Sequence, residues 1–425
     1  MEKQLRWMRL DNAAKIYPAA RRRSWSSLFR LSATLNEDVD KSVLENALKV
    51  TIKRFPSIAV RIRRGAFWYY LEETPCPPPI SDEAAYPMAR MSFKDIKKCA
   101  FRVICYKNRV AIEFFHALTD GAGGMVFLKS LMAEYIFQKY NVLVPNTHGV
   151  LDRNEPPKES ELEDSFLKYY GPVNASRKET TAYRLKGSLE PDGYLNLITG
   201  IINVDDALKL AKSYGVSLTA YLTAVMIFCI QKIQNRTTPN KKRQKPVKVL
   251  VPVNLRRIFE SNTLRNFALY VFPGINPRLG EFTFDEIVKL VHHQMGAEVY
   301  DKNMAAKMAS NVNAEKMLIV KILPLFIKNL AMKAIFNIVG ERKSCITISN
   351  LGVIDLPDEM KPFISRFDFI LGEQALCTNG CSALTYDGKL YINFLRTVKE
   401  SELEKEFFCF LRKAGLNIKV QSNRR

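Results

Sequence analysis

The spacing of apolar residues divides positions 1–140 into alternating strands and helices. Alternation of apolar and polar side chains predicts strands, and apolar residues three and four apart predict helices. The predicted elements are a strand over 25–35, a helix over 43–55, hairpins over 58–71 and 101–115, and a helix over 123–137. Asp40 is well placed to cap the first of these helices. This part of the chain therefore predicts a mixed α/β unit.

The second half of the chain repeats the mixture of strands and helices. The predicted elements are strands over 195–202, 247–253 and 345–349, helices over 204–214, 217–230, 283–300 and 402–414, and a hairpin over 384–394. Between the halves, residues 146–186 are polar and rich in prolines and acids, which is typical of a long connection. We therefore predict an N-terminal lobe over 1–150, a crossover linker over 151–190 and a C-terminal lobe over 191–425. A chain of 425 residues is long enough for two such lobes.

The end of one predicted strand carries residues suited to chemistry. The apolar run 109–115 ends on His116, and Asp120 and Gly121 follow before the next helix. A turn after a strand can present a side chain rigidly to a ligand. An unperturbed imidazole, with a pKa of about 6.5, is a base near neutral pH. The residues alone also permit a core histidine followed by a helix-capping aspartate.

Three segments, taken in order, resemble the chloramphenicol-acetyltransferase-like superfamily of acyltransferases, which includes peptide-synthetase condensation domains. The segments are His116-Ala-Leu-Thr-Asp120-Gly121, Asn254-Leu-Arg256 and Ser349-Asn350-Leu-Gly352. Together they frame most of the chain. The resemblance implies an α/β fold of two related mixed-sheet lobes with an active-site tunnel between them.

Two departures from that superfamily narrow the resemblance. Many relatives begin the motif with two histidines, whereas Phe115 holds the first of these positions here. The plant-type Asp-Phe-Gly-Trp-Gly segment is absent. The chain therefore resembles most closely the microbial alcohol-acetyltransferase-like branch.

The resemblance also implies a reaction. It implies a coenzyme A-dependent O-acyltransferase, or N-acyltransferase, that joins acyl-CoA and an alcohol or amine acceptor in a ternary complex without an acyl-enzyme intermediate. His116 would be the general base, and Asp120 a structural residue that pairs across the lobes with Arg256, or with Arg257 as the alternative. Gly121 would leave room for the turn and for substrate. The alternative is a catalytically silent or carrier-protein-docking protein of the condensation-domain type.

The oxyanion of such a reaction needs hydrogen-bond donors. Ser349 and Asn350 carry suitable side chains, and both lie in the segment that resembles the acceptor tunnel of microbial relatives. The same Asn-Leu-Gly sequence after a strand is also ordinary turn chemistry. We predict Asn350 as a catalytic residue and Ser349 as a substrate-binding residue.

A formal net charge of +21 predicts anionic partners. With a coenzyme A thioester as co-substrate, its phosphates would suit the basic loop that contains Lys241, Lys242, Arg243 and Lys245. An acidic acyl carrier protein is the alternative donor. No nucleic-acid-binding fingerprint accompanies the charge, so we expect no nucleic-acid partner. Four histidines and eight scattered cysteines without a Cys-x-x-Cys pair indicate no metal site.

Residues 317–336 are apolar, interrupted by lysines and by Pro324. They are typical of a core helix whose lysines reach solvent, of a helix on anionic lipid, or of a lid over the tunnel. No secretory leader and no run of about 18 apolar residues is present. We therefore expect a cytoplasmic, bacterial protein, with peripheral contact at the inner membrane face left open.

Overall fold

The computed structural model describes residues 5–20, 27–74, 76–84, 86–175, 180–335 and 341–424. Its strands are β1 Trp7–Arg9, β2 Leu28–Leu35, β3 Val60–Arg64, β4 Tyr69–Glu73, β5 Ile80–Asp82, β6 Phe101–Tyr106, β7 Arg109–Phe115, β8 Asn196–Asn203, β9 Val247–Asn254, β10 Ala268–Val271, β11 Gly274–Ile275, β12 Ile346–Val353, β13 Ile364–Leu371, β14 Asn379–Tyr386, β15 Lys389–Arg396 and β16 Ile418–Ser422. Its helices are α1 Ile16–Ala20, α2 Lys41–Arg54, α3 Phe93–Ile96, α4 Gly121–Tyr140, α5 Glu159–Leu162, α6 Ser165–Tyr169, α7 Val204–Ser213, α8 Leu218–Thr237, α9 Phe284–Glu298, α10 Asp301–Lys316, α11 Leu318–Ile322, α12 Leu325–Ile335 and α13 Glu402–Lys413. Positions 25, 26 and 336 of the predicted segments, and 176–179 of the predicted linker, lie outside the described residues.

The strands form two large mixed sheets and one small sheet. One large sheet has the order β13-β2-β7-β6-β5, and the other has the order β10-β9-β12-β14-β15-β8-β16, with β11 also beside β9. The small sheet is β1-β4-β3. Helix α4 packs on the first large sheet with α2 against it, and α8 and α9 pack on the second with α13 against α8. Two hydrophobic cores are present: one packs the first large sheet and also includes Tyr386 of β14 and Tyr391 of β15, and the other includes Ile392 and Phe394 of β15. This is the two-lobed α/β fold that the sequence predicted.

Strand β7 and helix α4 fix the position of the loop between them. All of β7 except Arg109 is buried, and α4 is buried over most of its length. The Asp120 side chain caps α4 by accepting hydrogen bonds from the N–H groups of Ala122 and Gly123. The helix ends at Tyr140, and the capping residue Asn141 has a φ of 56°, the left-handed conformation common at helix ends. The two buried elements therefore fix where the short loop with His116 begins and ends.

Strand β13 joins the sheet of the other half of the chain. It runs antiparallel to β2, with Phe367 opposite Ala33 and Leu371 opposite Phe29. Beyond it, the N–H of Gly372 donates to the carbonyl of Leu28 at 3.0 Å. The sheet built from the N-terminal half is thus completed from the C-terminal half. The lobe boundaries predicted from the sequence stay a prediction.

Two further features concern the state of the cysteines and the length of the apolar helices. All eight cysteines are free thiols, of which only Cys76 and Cys409 are exposed. Among the described residues, no single helix is long and apolar enough to cross a membrane, whereas the bent pair α7–α8 passes that test by length and composition. Most of α8 is buried in the second core.

Candidate active site

A cavity of about 1110 Å³ is lined by residues of both large sheets and of the helices beside them. The first half of the chain contributes Tyr17, Phe29 and His116 to its wall. The second half contributes Pro252 on β9 and Ser349 on β12. A cavity of this size, walled by both lobes, matches the predicted tunnel position and places His116 at its wall.

The ring of His116 is held on three sides. It follows β7 at the start of a turn, and its backbone N–H donates to the carbonyl of Ser27 at 2.9 Å. Tyr17 stacks on the imidazole with ring centroids 4.6 Å apart, and Phe29 meets it edge-on at 5.0 Å. The side chain Oδ1 of Asn266 lies 3.1 Å from Nδ1 of His116. These contacts fix both the plane and the rotation of the ring.

The contacts of Asn266 indicate which nitrogen of His116 carries the proton. Nδ2 of Asn266 donates to the carboxylate of Asp11 at 3.4 Å, so its Oδ1 is the atom turned to the histidine. An amide oxygen accepts hydrogen bonds, so Nδ1 of His116 is the protonated nitrogen and Nε2 is the base. Burial lowers the pKa of His116 below its usual 6.5, although Asp120 and Asn266 oppose the shift. The imidazole is therefore neutral near pH 7.

Asp120 is bound to both halves of the chain. Its Oδ2 accepts from Nη1 of Arg256 at 2.7 Å and from the N–H of Phe267 at 2.9 Å, while Oδ1 caps α4. Burial opposes ionisation of this carboxyl, but the guanidinium and the N–H donors together hold its pKa below the usual 3.8. Arg256 also donates to the carbonyls of Thr263 and Arg265. The ion pair therefore ties the loop of His116 to the segment after β9.

The segment Arg265-Asn266-Phe267 was not found by sequence reasoning. Its three residues contact Asp11, His116 and Asp120 in turn: Arg265 pairs with Asp11 at 3.6 Å, Asn266 bonds His116, and Phe267 bonds Asp120. Asn266 lies 150 positions from His116, and a single asparagine before a short strand carries no periodic signal. Only the tertiary structure could reveal this contact.

Two glycines at the start of α4 differ in how tightly they are packed. A Cβ at Gly121 would stand 2.7 Å from the end of the flexible Leu351 side chain. A Cβ at Gly123 would stand 2.2 Å from the carbonyl oxygen of Leu264 and 2.3 Å from Oγ1 of Thr119. Gly121 lines the cavity, and its role in leaving room for substrate stays a prediction. The stricter steric requirement falls on Gly123, which the sequence did not single out.

Ser349 and Asn350 both line the cavity from β12. The Asn350 side chain makes two structural hydrogen bonds: Oδ1 accepts from the N–H of Gly352 at 2.9 Å, and Nδ2 donates to Oγ1 of Thr219 at 3.1 Å. Asn350 thus has the turn contacts that the sequence also permitted, and its Nδ2 has a second hydrogen left to donate. Its role in an oxyanion site stays a prediction.

The predicted basic loop is not part of the cavity wall. Lys241, Lys242, Arg243 and Lys245 are exposed around a 3₁₀ turn, which Gln234 holds through the backbone N–H and carbonyl of Lys245. Their predicted contact with coenzyme A phosphates stays a prediction.

Arg257 and Lys129 are two basic residues that do line the cavity, and neither was predicted as a ligand-binding residue. Arg257 is exposed beside Gly352, with Nη2 3.1 Å from where a Cβ of that glycine would stand. Lys129 is buried, and its ammonium donates to the carbonyls of His148 and Asp355. Burial lowers the pKa of Lys129 to about 8. In the described residues, no cluster of three or more His, Cys, Asp and Glu side chains could hold a metal ion.

The chain has the fold of the chloramphenicol-acetyltransferase-like and condensation-domain superfamily, as the sequence resemblance predicted. No protein-family model matches the chain, and no curated protein matches its sequence.

Solved structures with this fold align with nearly the whole chain. The match to TRI101 of F. graminearum, complexed with coenzyme A and deoxynivalenol, spans 98% of this chain and 100% of the TRI101 chain, at 11% identity and a TM-score of 0.64. TRI3 trichothecene 15-O-acetyltransferase from Fusarium sporotrichioides covers 97% over 95% of its own, at 11% identity and a TM-score of 0.63. The first condensation domain of the CDA synthetase covers 97% over 97%, at 12% identity and a TM-score of 0.57. Identities this low establish the fold alone.

Proposed function

We propose that this protein is an acyltransferase that moves an acyl group from acyl-CoA to an alcohol or amine acceptor in a ternary complex. The observation that carries the proposal is the imidazole of His116. It is held at the cavity wall with Nδ1 bonded to Asn266, its pKa is lowered by burial, and Nε2 is left as the base. This arrangement suits direct deprotonation of an acceptor. Solved relatives in fold include a 15-O-acetyltransferase, which favours an alcohol.

In the proposed reaction His116 moves one proton twice. Nε2 takes the proton of the acceptor hydroxyl or amine as that atom attacks the thioester carbonyl. The tetrahedral intermediate then collapses, the carbon–sulfur bond breaks, and the imidazolium returns the proton to the leaving thiolate. A positioned general base of this kind is worth roughly 10²–10⁴-fold in rate. No serine or cysteine nucleophile is needed, so no acyl-enzyme forms.

Donors for the developing oxyanion come from β12 in this proposal. The hydroxyl of Ser349 and the second amide hydrogen of Asn350 belong to residues of the cavity wall. A donor fixed before the reaction is worth about 10²–10³-fold. Asn350 is the better fixed of the two, because Gly352 and Thr219 hold its amide plane.

The donor substrate is coenzyme A thioester in this proposal. TRI101, which shares the fold, was solved with coenzyme A. Arg257 is the cavity-lining cation best placed for an anionic group, since it is exposed at the wall. The loop with Lys241 and Lys245 would act farther out, on the phosphates of a nucleotide that extends from the cavity or on an acidic carrier protein. The expected cytoplasmic location is part of the same proposal.

Release of free thiol from acetyl-CoA tests the proposal directly. The purified protein is incubated with a panel of alcohols and amines, and thiol formation is followed against a reaction without acceptor. We expect acceptor-dependent release in the wild type and a loss of roughly 10²-fold or more in His116→Ala.

His293→Ala is the matched control, because His293 is exposed on α9, outside the cavity. Full activity in His116→Ala would show that this histidine is not the base. Coenzyme A binding by calorimetry without turnover of any acceptor would instead favour the silent or carrier-docking alternative.

A further inference from the structure

Helices α11 and α12 present apolar side chains to solvent. Ile322 is 62% exposed, Phe326 59% and Leu330 69%. We call these three residues, together with Met317 and Ile327, the α11–α12 face; Met317 and Ile327 are 56% and 37% exposed. Exposed apolar side chains grouped in one short segment mark an interaction surface, whereas scattered ones need no explanation.

The opposite side of these helices is fixed to the protein. Leu325 is buried, and its N–H donates to the carbonyl of Ala66 at 3.0 Å. Lys328 is also buried: its ammonium donates to the carbonyl of Phe67 and lies 3.9 Å from the ring centroid of Trp68. The sequence left open whether the lysines of residues 317–336 reach solvent. The structure shows that Lys328 does not reach solvent. Because the inner side is anchored, the apolar face cannot turn inward.

The same helix pair is part of the cavity wall. Val320 of α11 and Met332 of α12 line the cavity, and so does Trp68 beneath Lys328. Helix α12 packs against α1, whose Tyr17 stacks on His116. The helix pair that carries the exposed apolar face therefore also lines the cavity that holds the candidate base.

Charge favours one occupant for the face. Lys321 and Lys333 are exposed on the same two helices, and the whole chain carries a net charge of +21. Helix α12 has 11 residues, about 16 Å, which is too short to cross a bilayer and suits a helix that lies at its surface. Apolar side chains enter the interface of such a bilayer while lysines meet anionic headgroups.

We propose that the α11–α12 face docks on an anionic lipid bilayer and that the acceptor enters the cavity from that side. The second half of this statement rests on the proposed acyltransferase function and names its acceptor class: an alcohol or amine carried on a membrane-resident, apolar molecule. The docking itself is independent of catalysis.

Vesicle flotation tests the docking. The full chain is floated with vesicles of phosphatidylcholine alone and with vesicles that also contain phosphatidylglycerol, at low and high salt. We expect recovery with the anionic vesicles only, decreasing as salt rises because screening weakens lysine contacts with headgroups. The variant Phe326→Ser/Leu330→Ser should lower the partition coefficient about tenfold or more, since two large apolar side chains no longer enter the interface.

The matched control is Leu143→Ser/Leu279→Ser, because these leucines are 74% and 80% exposed outside the α11–α12 face. Equal loss of binding in both double variants, or equal recovery of the wild type in the soluble fraction with either vesicle, would overturn the docking. His116→Ala should float like the wild type. Flotation without turnover of any acceptor would support the docking and reject acyl transfer. Turnover without flotation would support acyl transfer and reject the docking.

Discussion

The ion pair between Asp120 and Arg256 makes a sharp quantitative prediction for Asp120→Asn. Both carboxylate oxygens are used: Oδ1 accepts two backbone N–H groups, and Oδ2 accepts Arg256 and the N–H of Phe267. An asparagine offers one oxygen, and its NH₂ group must then face two donors. The side chains of Asp120 and Arg256 are only 9% and 15% exposed, so solvent replaces little of what is lost.

The expected cost follows from the number of donors left without an acceptor. Each buried unsatisfied donor costs about 1–2 kcal/mol, so Asp120→Asn should lower the free energy of unfolding by about 2–4 kcal/mol. Because the pKa of Asp120 is lowered in the folded state from its usual 3.8, its stabilisation is present above that unfolded pKa and is lost as pH falls through the folded value. The difference between wild type and variant should therefore shrink below about pH 4.

Urea unfolding followed by circular dichroism, at pH 7 and at several values below pH 4, measures this difference. Asp358→Asn is the matched control, since Asp358 forms an exposed ion pair with Lys361. Acyl transfer should fall in Asp120→Asn, because the loop of His116 loses its anchor to the other lobe. An unfolding midpoint equal to that of Asp358→Asn at pH 7 would refute the reasoning.

The same site yields three further predictions. The pH profile of kcat/KM, which reports the pKa of the free enzyme, should have an acid limb below pH 6.5, because burial lowers the pKa of His116 and the base must be unprotonated. A limb above that value would contradict the assignment. Asn266→Ala should lower kcat about tenfold, because Nδ1 of His116 loses its hydrogen-bond partner. Asn266→Asp should move the acid limb to higher pH, because a carboxylate favours the imidazolium. Unchanged pH profiles in both variants would show that Asn266 does not position or tune His116. Gly123→Ala should destabilise the protein by about 1–3 kcal/mol, because its Cβ meets the Leu264 backbone, while Gly121→Ala should be milder; thermal unfolding compares them.

Local signals in the sequence predicted local structure well. Asp40 caps α2, as predicted, by accepting from the N–H groups of Ser42 and Val43. Asp387 and Gly388 form the predicted hairpin turn, with φ of 48° and 67°. In each case the residues that decide the conformation are neighbours in the chain.

The missed features depend on contacts between distant residues. Strand β13, Ile-Ser-Arg-Phe-Asp-Phe-Ile-Leu, alternates only in part, and its partner β2 comes from the opposite end of the chain. Asn266 acts on His116 through a fold that no spacing reveals. Lys328 lies in a segment where lysines commonly reach solvent, but carbonyls and the Trp68 ring satisfy its ammonium in a buried position. Such positions are fixed by packing and hydrogen bonding, not by periodicity.

The return of β13 to the first sheet also governs how this chain can be divided. Its pairing with β2 extends from Phe29, opposite Leu371, to Leu35, opposite Ile364. A fragment that stopped before β12 would leave that edge of β2 as an open row of N–H and C=O groups, which promotes aggregation. The two lobes therefore cannot be exchanged as separate units by cutting the chain between them. Neither half of the chain is expected to fold stably on its own. A split reporter or a chimaera with another protein of this fold should keep residues 364–371 together with strands β2 to β7.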